Sequence, residues 1–419
     1  MRKTFSSALI GTMLAGTLAA CGGGEATTAP TTAPTAATAP TTAPTTAAGT
    51  TAPMTDTTAP TTAAAPTEAA TTAPATGSTG AAAALNPAKS DATVAAELKA
   101  SGASFPAKIY QKWVENYKTV VPGVTINYQS VGSGQGVKDY LDTITDFGAT
   151  DAYLTEEELA KAPNTLHIPT VAGAVVATYN LPDAPELQFS PETLADIFLG
   201  NVTKWNDPKI AADNPSATLP DTDITVVYRA DGSGTNSIFT TYLSAVSPEF
   251  KDKVGAGKTV EWPVGQGEQK NDGVAKAVTA TEGAIGYVEL IYALGNKLPA
   301  PAIKNATGAY VKPTLESVTA AAQGFLKTLP EDLRVDIINP AEGAGAYPIS
   351  GFTWIIVQKE QKDAAKAKAL AEFIYWALAD GDQAAIDLGF APLPNEVKAK
   401  AVEKLEQITV DGTAVFKRP

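Results

Sequence analysis

One histidine and one cysteine are all that this 419-residue chain holds of the two side chains most used for nucleophilic catalysis and soft-metal binding. A serine hydrolase needs a base beside its nucleophile. The only imidazole, His167, sits in Leu166-His167-Ile168-Pro169, and no Gly-x-Ser-x-Gly elbow occurs, so His167 reads as structural. A metal centre would have to be built from scattered carboxylates. With one cysteine no disulfide forms within the chain, and stability must come from core burial. Cationic side chains are outnumbered, 31 Lys and Arg against 44 Asp and Glu, and the formal charge of −13 argues against nucleic acid and against general attraction to anionic lipid. The glycine-rich Gly132-Ser133-Gly134-Gln135-Gly136-Val137-Lys138 lacks both the Gly-Lys-Ser/Thr ending of a P-loop and the G-x-G-x-x-G spacing, which sets nucleotides aside. What remains is binding rather than turnover: no catalytic residue, no metal and no cofactor is expected.

The N-terminus carries a different message. Met1-Arg2-Lys3 and the largely uncharged run from Ser6 to Ala20 have the regions of a secretory signal, residues 1–20, too short to be kept as a membrane span. It ends in Leu18-Ala19-Ala20-Cys21, which resembles the bacterial lipobox, so Cys21 is the expected lipidation site and the mature chain is expected on the outer face of the cell membrane, in a periplasm or at a cell surface. Loss of Arg2 and Lys3 with the signal takes the formal charge from −13 to −15. Residues 21–85 form the expected linker, dominated by Thr-Ala-Pro repeats such as Thr31-Thr32-Ala33-Pro34, with almost no large apolar side chains to bury. Proline stiffens such a segment toward an extended form, which suits a spacer, with adhesive repeats as the competing reading.

From about residue 90 the composition is that of a globular protein, some 330 residues, enough for two lobes. Short β-branched runs alternate with helical stripes, the pattern of an α/β fold. Val124, Ile126 and Tyr128, then Val171 to Tyr179, then Ile224 to Tyr228 read as strands. Pro106 reads as a first helical residue ahead of Ile109, Trp113, Val114, Tyr117 and Val120; Val137, Tyr140, Leu141 and Ile144 make a second stripe. Ser190-Pro191-Glu192 opens a helix that Gly200 closes, and Leu370, Phe373, Ile374, Ala377 and Leu378 mark a long late one.

The most informative stretch is Tyr228-Arg229-Ala230-Asp231-Gly232-Ser233-Gly234-Thr235-Asn236-Ser237, which runs into the helical stripe Ile238, Phe239, Tyr242, Leu243 and Val246. Its Gly-Ser-Gly-Thr leaves free N–H groups at the positive end of a helix dipole, a setting for an anion. Arg229 adds a planar fork of donors and Asp231 would hold that fork in place. A Gly/Ser turn beside a surface ion pair is the other reading of these residues alone. Two further helices begin in the same way, after Gly102-Ala103-Ser104-Phe105-Pro106 and Gly132-Ser133-Gly134, and in open α/β sheets such ends gather where ligands bind.

These segments, with Asn127-Tyr128-Gln129, Asp146-Phe147-Gly148-Ala149-Thr150-Asp151-Ala152, Leu199-Gly200-Asn201-Val202-Thr203-Lys204-Trp205-Asn206, Asn271-Asp272-Gly273, Gly283-Ala284-Ile285-Gly286-Tyr287-Val288-Glu289 and Ala391-Pro392-Leu393-Pro394, give the chain a family resemblance. It resembles the substrate-binding protein of the bacterial phosphate ABC transporter, from about Gly102 to about Leu393. The resemblance implies an α/β, two-lobed periplasmic-binding-protein-like fold of type II, each lobe a mixed sheet flanked by helices, with the ligand in the cleft between lobes. Lobe I would comprise 95–175 and 287–419, and lobe II 176–286. Also implied are donation to phosphate from Ser104, the Phe105 amide, Ser133, Arg229, Ser233, the Gly234 amide and Thr235, acceptance by Asp151, and orientation of Arg229 by Asp231. The partners implied are inorganic phosphate, the permease subunits of an ABC importer, and the membrane through lipid on Cys21; a monomer is expected. Gln135 stands where glycine is frequent in this family, Tyr153 where proline is, and Ser104 where threonine is common. Another tetrahedral oxyanion as ligand, or a secreted phosphatase activity, are the alternatives. Phosphate keeps a proton near neutral pH where sulfate has none, which makes Asp151 the expected discriminator.

Overall fold

The computed structural model describes residues 82–419 apart from Asp183 and Pro185, and all of them fall within one compact unit, Ala75–Pro419. The signal sequence, Cys21 and the spacer up to residue 81 lie outside the described residues. No helix among the described residues is long and apolar enough to cross a membrane.

Eight strands form the main sheet: β1 (Ala96–Gly102), β2 (Val124–Ser130), β3 (Phe147–Thr150), β4 (Thr165–Tyr179), β5 (Thr225–Arg229), β6 (Gln266–Glu268), β7 (Ala284–Glu289) and β8 (Ser350–Gln358). Their order is β2-β1-β3-β8-β4-β7-β5-β6. Strands β1, β2 and β3 run parallel in one half, and β5, β6 and β7 run parallel in the other. The strand common to both halves is β4. Its residues Thr165 to Ala174 pair antiparallel with β8, and Val175 to Tyr179 pair antiparallel with β7.

Every residue of β4 after the first is buried, so the strand reads as an almost unbroken apolar run rather than an alternating one. It begins earlier than the β-branched run from Val171 suggests, passing straight through Pro169. Proline cannot donate to a ladder. The register against β8 shifts at that point, with Trp354 opposite Pro169 and Thr353 opposite Val171, so the missing donor falls at an irregularity that tolerates it.

The helices that matter to the site are α1 (Ala107–Val120), α2 (Ser133–Leu141), α3 (Pro191–Leu199), α4 (Gly234–Val246), α5 (Lys270–Ala280), α6 (Leu290–Gly295) and α7 (Ala364–Asp380). Local chemistry explains their ends. Ser190 accepts the Thr193 N–H, Pro191 fills the first position of α3, and Gly200 closes it at φ +77°, as its sequence implies. Pro106 caps α1 from outside rather than opening it. Ile144, expected on the α2 stripe, lies beyond the helix and is 60% exposed, because Thr143 turns into the left-handed region at φ +56° and stops the helix first. One continuous apolar core runs through both halves. Its three fully buried tryptophans are satisfied: Trp113 donates to Gly381 O, Trp205 to Gly283 O and Trp354 to Leu333 O, at 2.9, 3.0 and 3.0 Å.

Candidate functional site

The carboxyl ends of the parallel strands from the two halves meet, the place where open α/β sheets take ligands. β1 delivers Ser104 and Phe105 ahead of α1, β2 delivers Ser133 at the start of α2, and β3 delivers Asp151. From the other half β5 delivers Arg229 and Asp231, with Ser233, Gly234 and Thr235 opening α4, and β6 leads into α5. All eight residues singled out for direct contact come together here, and the serines, Thr235, Asp151 and Arg229 are buried.

Arg229 is locked before any ligand is considered. Its Nε donates to Asp231 Oδ1 at 2.7 Å and its Nη2 to Oδ2 at 2.6 Å, the two-pronged pairing that suits a guanidinium. Its side chain is 1% exposed, yet Nη1 has no hydrogen-bond partner among the described residues. Burial pushes the Asp231 carboxyl up, but the Arg229 bonds and charge and the Lys270 N–H at 3.0 Å more than offset it, leaving Asp231 below its ordinary range. Lys270 reaches Asp231 from a left-handed backbone, φ +61°, costly for a side chain with a Cβ and characteristic of functional loops.

Asp151 is the complement. It is 3% exposed; Ser133 Oγ lies 3.4 Å from its Oδ2, and Oδ1 has no partner among the described residues. The Thr353 hydroxyl donates to the Thr150 carbonyl at 3.4 Å. Burial pushes the Asp151 carboxyl up to about 7 even though the Arg229 charge and the Ser133 hydroxyl pull it down. The site therefore offers a buried cationic donor and a buried carboxylate acceptor, each with bonding capacity to spare, which fits an oxyanion that carries a proton.

The surrounding donors are set by their neighbours. Tyr292 Oη donates to Ser104 O at 2.5 Å and Tyr128 Oη to Ala103 O at 2.6 Å. Because a trans peptide holds C=O and N–H on opposite sides, the bond to Ser104 O turns the Phe105 N–H the other way. Ser233 Oγ accepts the Asn236 N–H at 3.0 Å as the cap of α4. The Gly234 N–H donates to Ser133 Oγ at 3.1 Å, so the two halves touch through the site itself.

A model described as "PBP superfamily domain" matches residues 26–380. The phosphate-binding protein PstS of Xylella fastidiosa (strain Temecula1) is 41% identical over 76% of this chain and 87% of that protein. PstS of Pasteurella multocida (strain Pm70) is 42% identical over 77% of this chain and 94% of that protein. The chain belongs to the PstS phosphate-binding protein family. A solved structure of a putative phosphate ABC transporter substrate-binding protein with bound phosphate, from Clostridium perfringens, has the same fold, with a TM-score of 0.52 and 18% identity over 71% of this chain and 100% of that one. The expected α/β binding-protein fold is thus the observed one.

Within this PstS-family frame the sequence departures are benign. Gln135 is helical and exposed on α2, where it donates to Asp139 Oδ1 at 2.6 Å, so no glycine is needed there. Tyr153 packs its ring edge-on to Trp354 and donates to Asp336 Oδ2 at 3.1 Å, away from Asp151 Oδ1. His167 is structural: its Nε2 accepts the Leu154 N–H at 3.2 Å, and burial lowers its pKa to about 3.

Residue-type reasoning missed four participants. Asn271, Tyr287, Glu289 and Tyr292 were visible only as family motif or not at all. Tyr287 accepts the Arg229 backbone N–H at 2.9 Å, and the buried Glu289 carboxyl is raised well above its ordinary value by burial and the nearby Asp151 charge. Glycine is needed at two contacts between the halves. A Cβ on Gly234 would lie 2.5 Å from Asp151 Cβ and 2.7 Å from its backbone N; one on Gly134 would lie 2.9 Å from the Gly232 Cα. Replacing Gly234 with alanine is expected to hold the halves apart and weaken anion binding about 5- to 150-fold, the 1–3 kcal/mol of an overpacked contact, as read by calorimetry. An unchanged affinity would show that the Asp151 wall yields.

Outside the site, Lys258 Nζ from the second half bonds Glu158 Oε1 and Oε2 of the first at 2.6 and 2.8 Å. Both side chains are partly exposed. Lys258→Ala is expected to weaken anion binding by only about 2- to 5-fold, and by less at high salt, since exposed pairs contribute roughly 0.2–1 kcal/mol. A salt-independent effect larger than this would mark the pair as a buried latch instead.

Proposed function

We propose that this chain binds inorganic phosphate outside the cytoplasmic membrane and delivers it to the permease of an ABC importer. The observation that carries the reading is the pair of buried, unmatched groups of opposite polarity, Arg229 Nη1 as donor and Asp151 Oδ1 as acceptor. A protonated tetrahedral oxyanion uses both; sulfate leaves the carboxylate unpaired and repelled. The PstS relatives, which are phosphate-binding proteins, and the Clostridium perfringens ABC transporter protein with bound phosphate support the same ligand and transport class.

Ser104, the Phe105 amide, Ser133, Arg229, Ser233, Thr235 and the Gly234 amide, which would turn from Ser133 Oγ to the anion, are the proposed donors, Asp151 the acceptor and Asp231 the residue that holds Arg229. Lobe I is proposed as 95–175 with 287–419 and lobe II as 176–286; the change of β4 partner between Ala174 and Val175 supports the first crossing between lobes. The signal-like N-terminus and Cys21 support a lipid-anchored receptor held off the membrane by its Thr-Ala-Pro spacer, and a monomer is proposed. The proposed role is binding rather than hydrolysis; in support, the one imidazole is buried, neutral and taken up by the Leu154 N–H.

Calorimetric titration of the whole chain, stripped of carried-over anion, tests this. One-to-one phosphate binding with sulfate far weaker is expected, together with no turnover of a chromogenic phosphomonoester. Equal affinity for the two anions would favour another oxyanion, and turnover would favour a phosphatase.

A further inference from the structure

Asn271 is fully buried at the start of α5 and makes bonds that the proposed anion contacts do not explain. Its Oδ1 accepts the Glu289 backbone N–H at 3.0 Å. A backbone N–H can only donate, so this bond fixes which end of the carboxamide is which. The NH2 end then faces two hydroxyls of the proposed anion site, Ser104 Oγ at 3.0 Å and Thr235 Oγ1 at 3.2 Å. The Asn271 backbone N–H also approaches Ser104 Oγ, at 3.3 Å.

A hydroxyl has one hydrogen and two lone pairs. Where its oxygen accepts from an amide that has nothing but hydrogens to offer, its own hydrogen must point elsewhere. Ser104 accepts from Asn271 with both lone pairs, and Thr235 with one. We propose that Asn271 is a positioning residue that fixes the Ser104 hydroxyl, and biases the Thr235 hydroxyl, as donors toward the anion, one from each half of the protein. This rests on the reading of the site as an anion site. A serine or threonine free to rotate is as ready to present a lone pair as a hydrogen, and a lone pair facing an oxyanion repels it. Asn271 removes that choice for Ser104, whose two lone pairs it occupies, and narrows it for Thr235, before the ligand arrives, the kind of preorganisation that saves ordering cost on binding. Its bonds to Ser104 cross from the second half to the first, so the hydroxyl is set where the halves meet.

The test is a double-mutant cycle in the whole chain, read by phosphate titration. In the wild-type background Asn271→Ala is expected to weaken phosphate binding by about 10-fold or more, the scale of interaction energies between residues in one hydrogen-bond network. In a Ser104→Ala/Thr235→Val background the same change should cost less than about 3-fold, because the hydroxyls it acts through are gone. Asn271→Asp keeps the acceptor for the Glu289 N–H and the shape, but offers Ser104 and Thr235 only acceptors. Its new charge also repels the anion directly, so its cost should exceed that of Asn271→Ala in the wild-type background and should shrink, without vanishing, once the hydroxyls are removed; it serves if the alanine variant does not fold. Equal losses in both backgrounds would overturn the proposal and leave Asn271 a purely structural tie between α5 and β7. Absence of phosphate binding by the wild-type chain would instead overturn the reading of the site, and the proposal with it.

Discussion

Arg229→Ala is expected to weaken phosphate binding by about 2–5 kcal/mol, roughly thirty-fold to several thousand-fold, the usual cost of truncating one member of a buried, hydrogen-bonded charge pair. Two losses add up to that figure. The ligand loses a desolvated guanidinium whose Nη1 is free for it. Asp231 loses both prongs of its partner and keeps only the Lys270 N–H, so a second carboxylate is left close to the anion. Arg229→Lys should fall between alanine and wild type, since a single ammonium restores the charge without the fork. The free protein should also change its acid response. Asp231 has a depressed pKa, so its contribution to stability is present above the ordinary carboxylate range and is lost as pH falls through the depressed value; in Arg229→Ala that contribution should vanish. Calorimetry and melting curves at pH 3 to 7 read both effects. Near-wild-type affinity in the alanine variant would mean that the anion lies elsewhere.

Asp151→Asn is expected to collapse the preference for phosphate over sulfate, by about 10⁴-fold if the unpaired carboxylate is the whole of the discrimination. A carboxamide presents a donor as well as an acceptor, so it no longer penalises an anion that has no proton to give. The wild-type protein should show a weaker form of the same effect with pH. Because burial holds Asp151 at about 7, it gains a proton in mildly acid solution and can then donate to sulfate, so the phosphate-to-sulfate ratio should narrow from pH 8 to pH 5. In Asp151→Asn only the dependence brought by the titration of phosphate itself should remain. The stability of the ligand-free protein carries the matching sign. The folded pKa lies above the unfolded value of 3.8, so between about 4 and 7 the folded state holds a proton that the unfolded state has lost. Rising pH through that window therefore destabilises the wild type, and Asp151→Asn should remove this slope. Competition titrations and thermal melts across pH 5 to 8 read the two together; a ratio indifferent to both pH and substitution would remove Asp151 from the role of discriminator.

Much of this site is legible in the residue order because its chemistry is local. The Arg229-to-Thr235 segment carries donor, holder and helix cap within seven residues, and Ser190, Pro191 and Gly200 announce the ends of α3 by the same short-range rules. The parts that stay hidden depend on distant partners. Pro169 argues against a central strand until its opposition to the irregular Thr353–Trp354 step of β8 is seen. Ile144 keeps helical spacing with Val137 and Tyr140, yet the left-handed turn at Thr143 places it outside the helix. Asn271 lies far along the chain from both hydroxyls it binds, and Tyr287 and Tyr292 act on Arg229 and Ser104 through backbone groups, which leave no trace in the residue types at those positions.

The central claim is that one oxyanion is held between Arg229 and Asp151, with donors from both halves of the protein around it. A diffraction structure of the protein crystallised with phosphate tests it most directly. The account predicts a single phosphate within hydrogen-bonding distance of Arg229 Nη1 and Asp151 Oδ1, with the Ser104 and Thr235 hydroxyls also on its oxygens. Phosphate bound at any other place, with Arg229 Nη1 and Asp151 Oδ1 left unmatched, would contradict it.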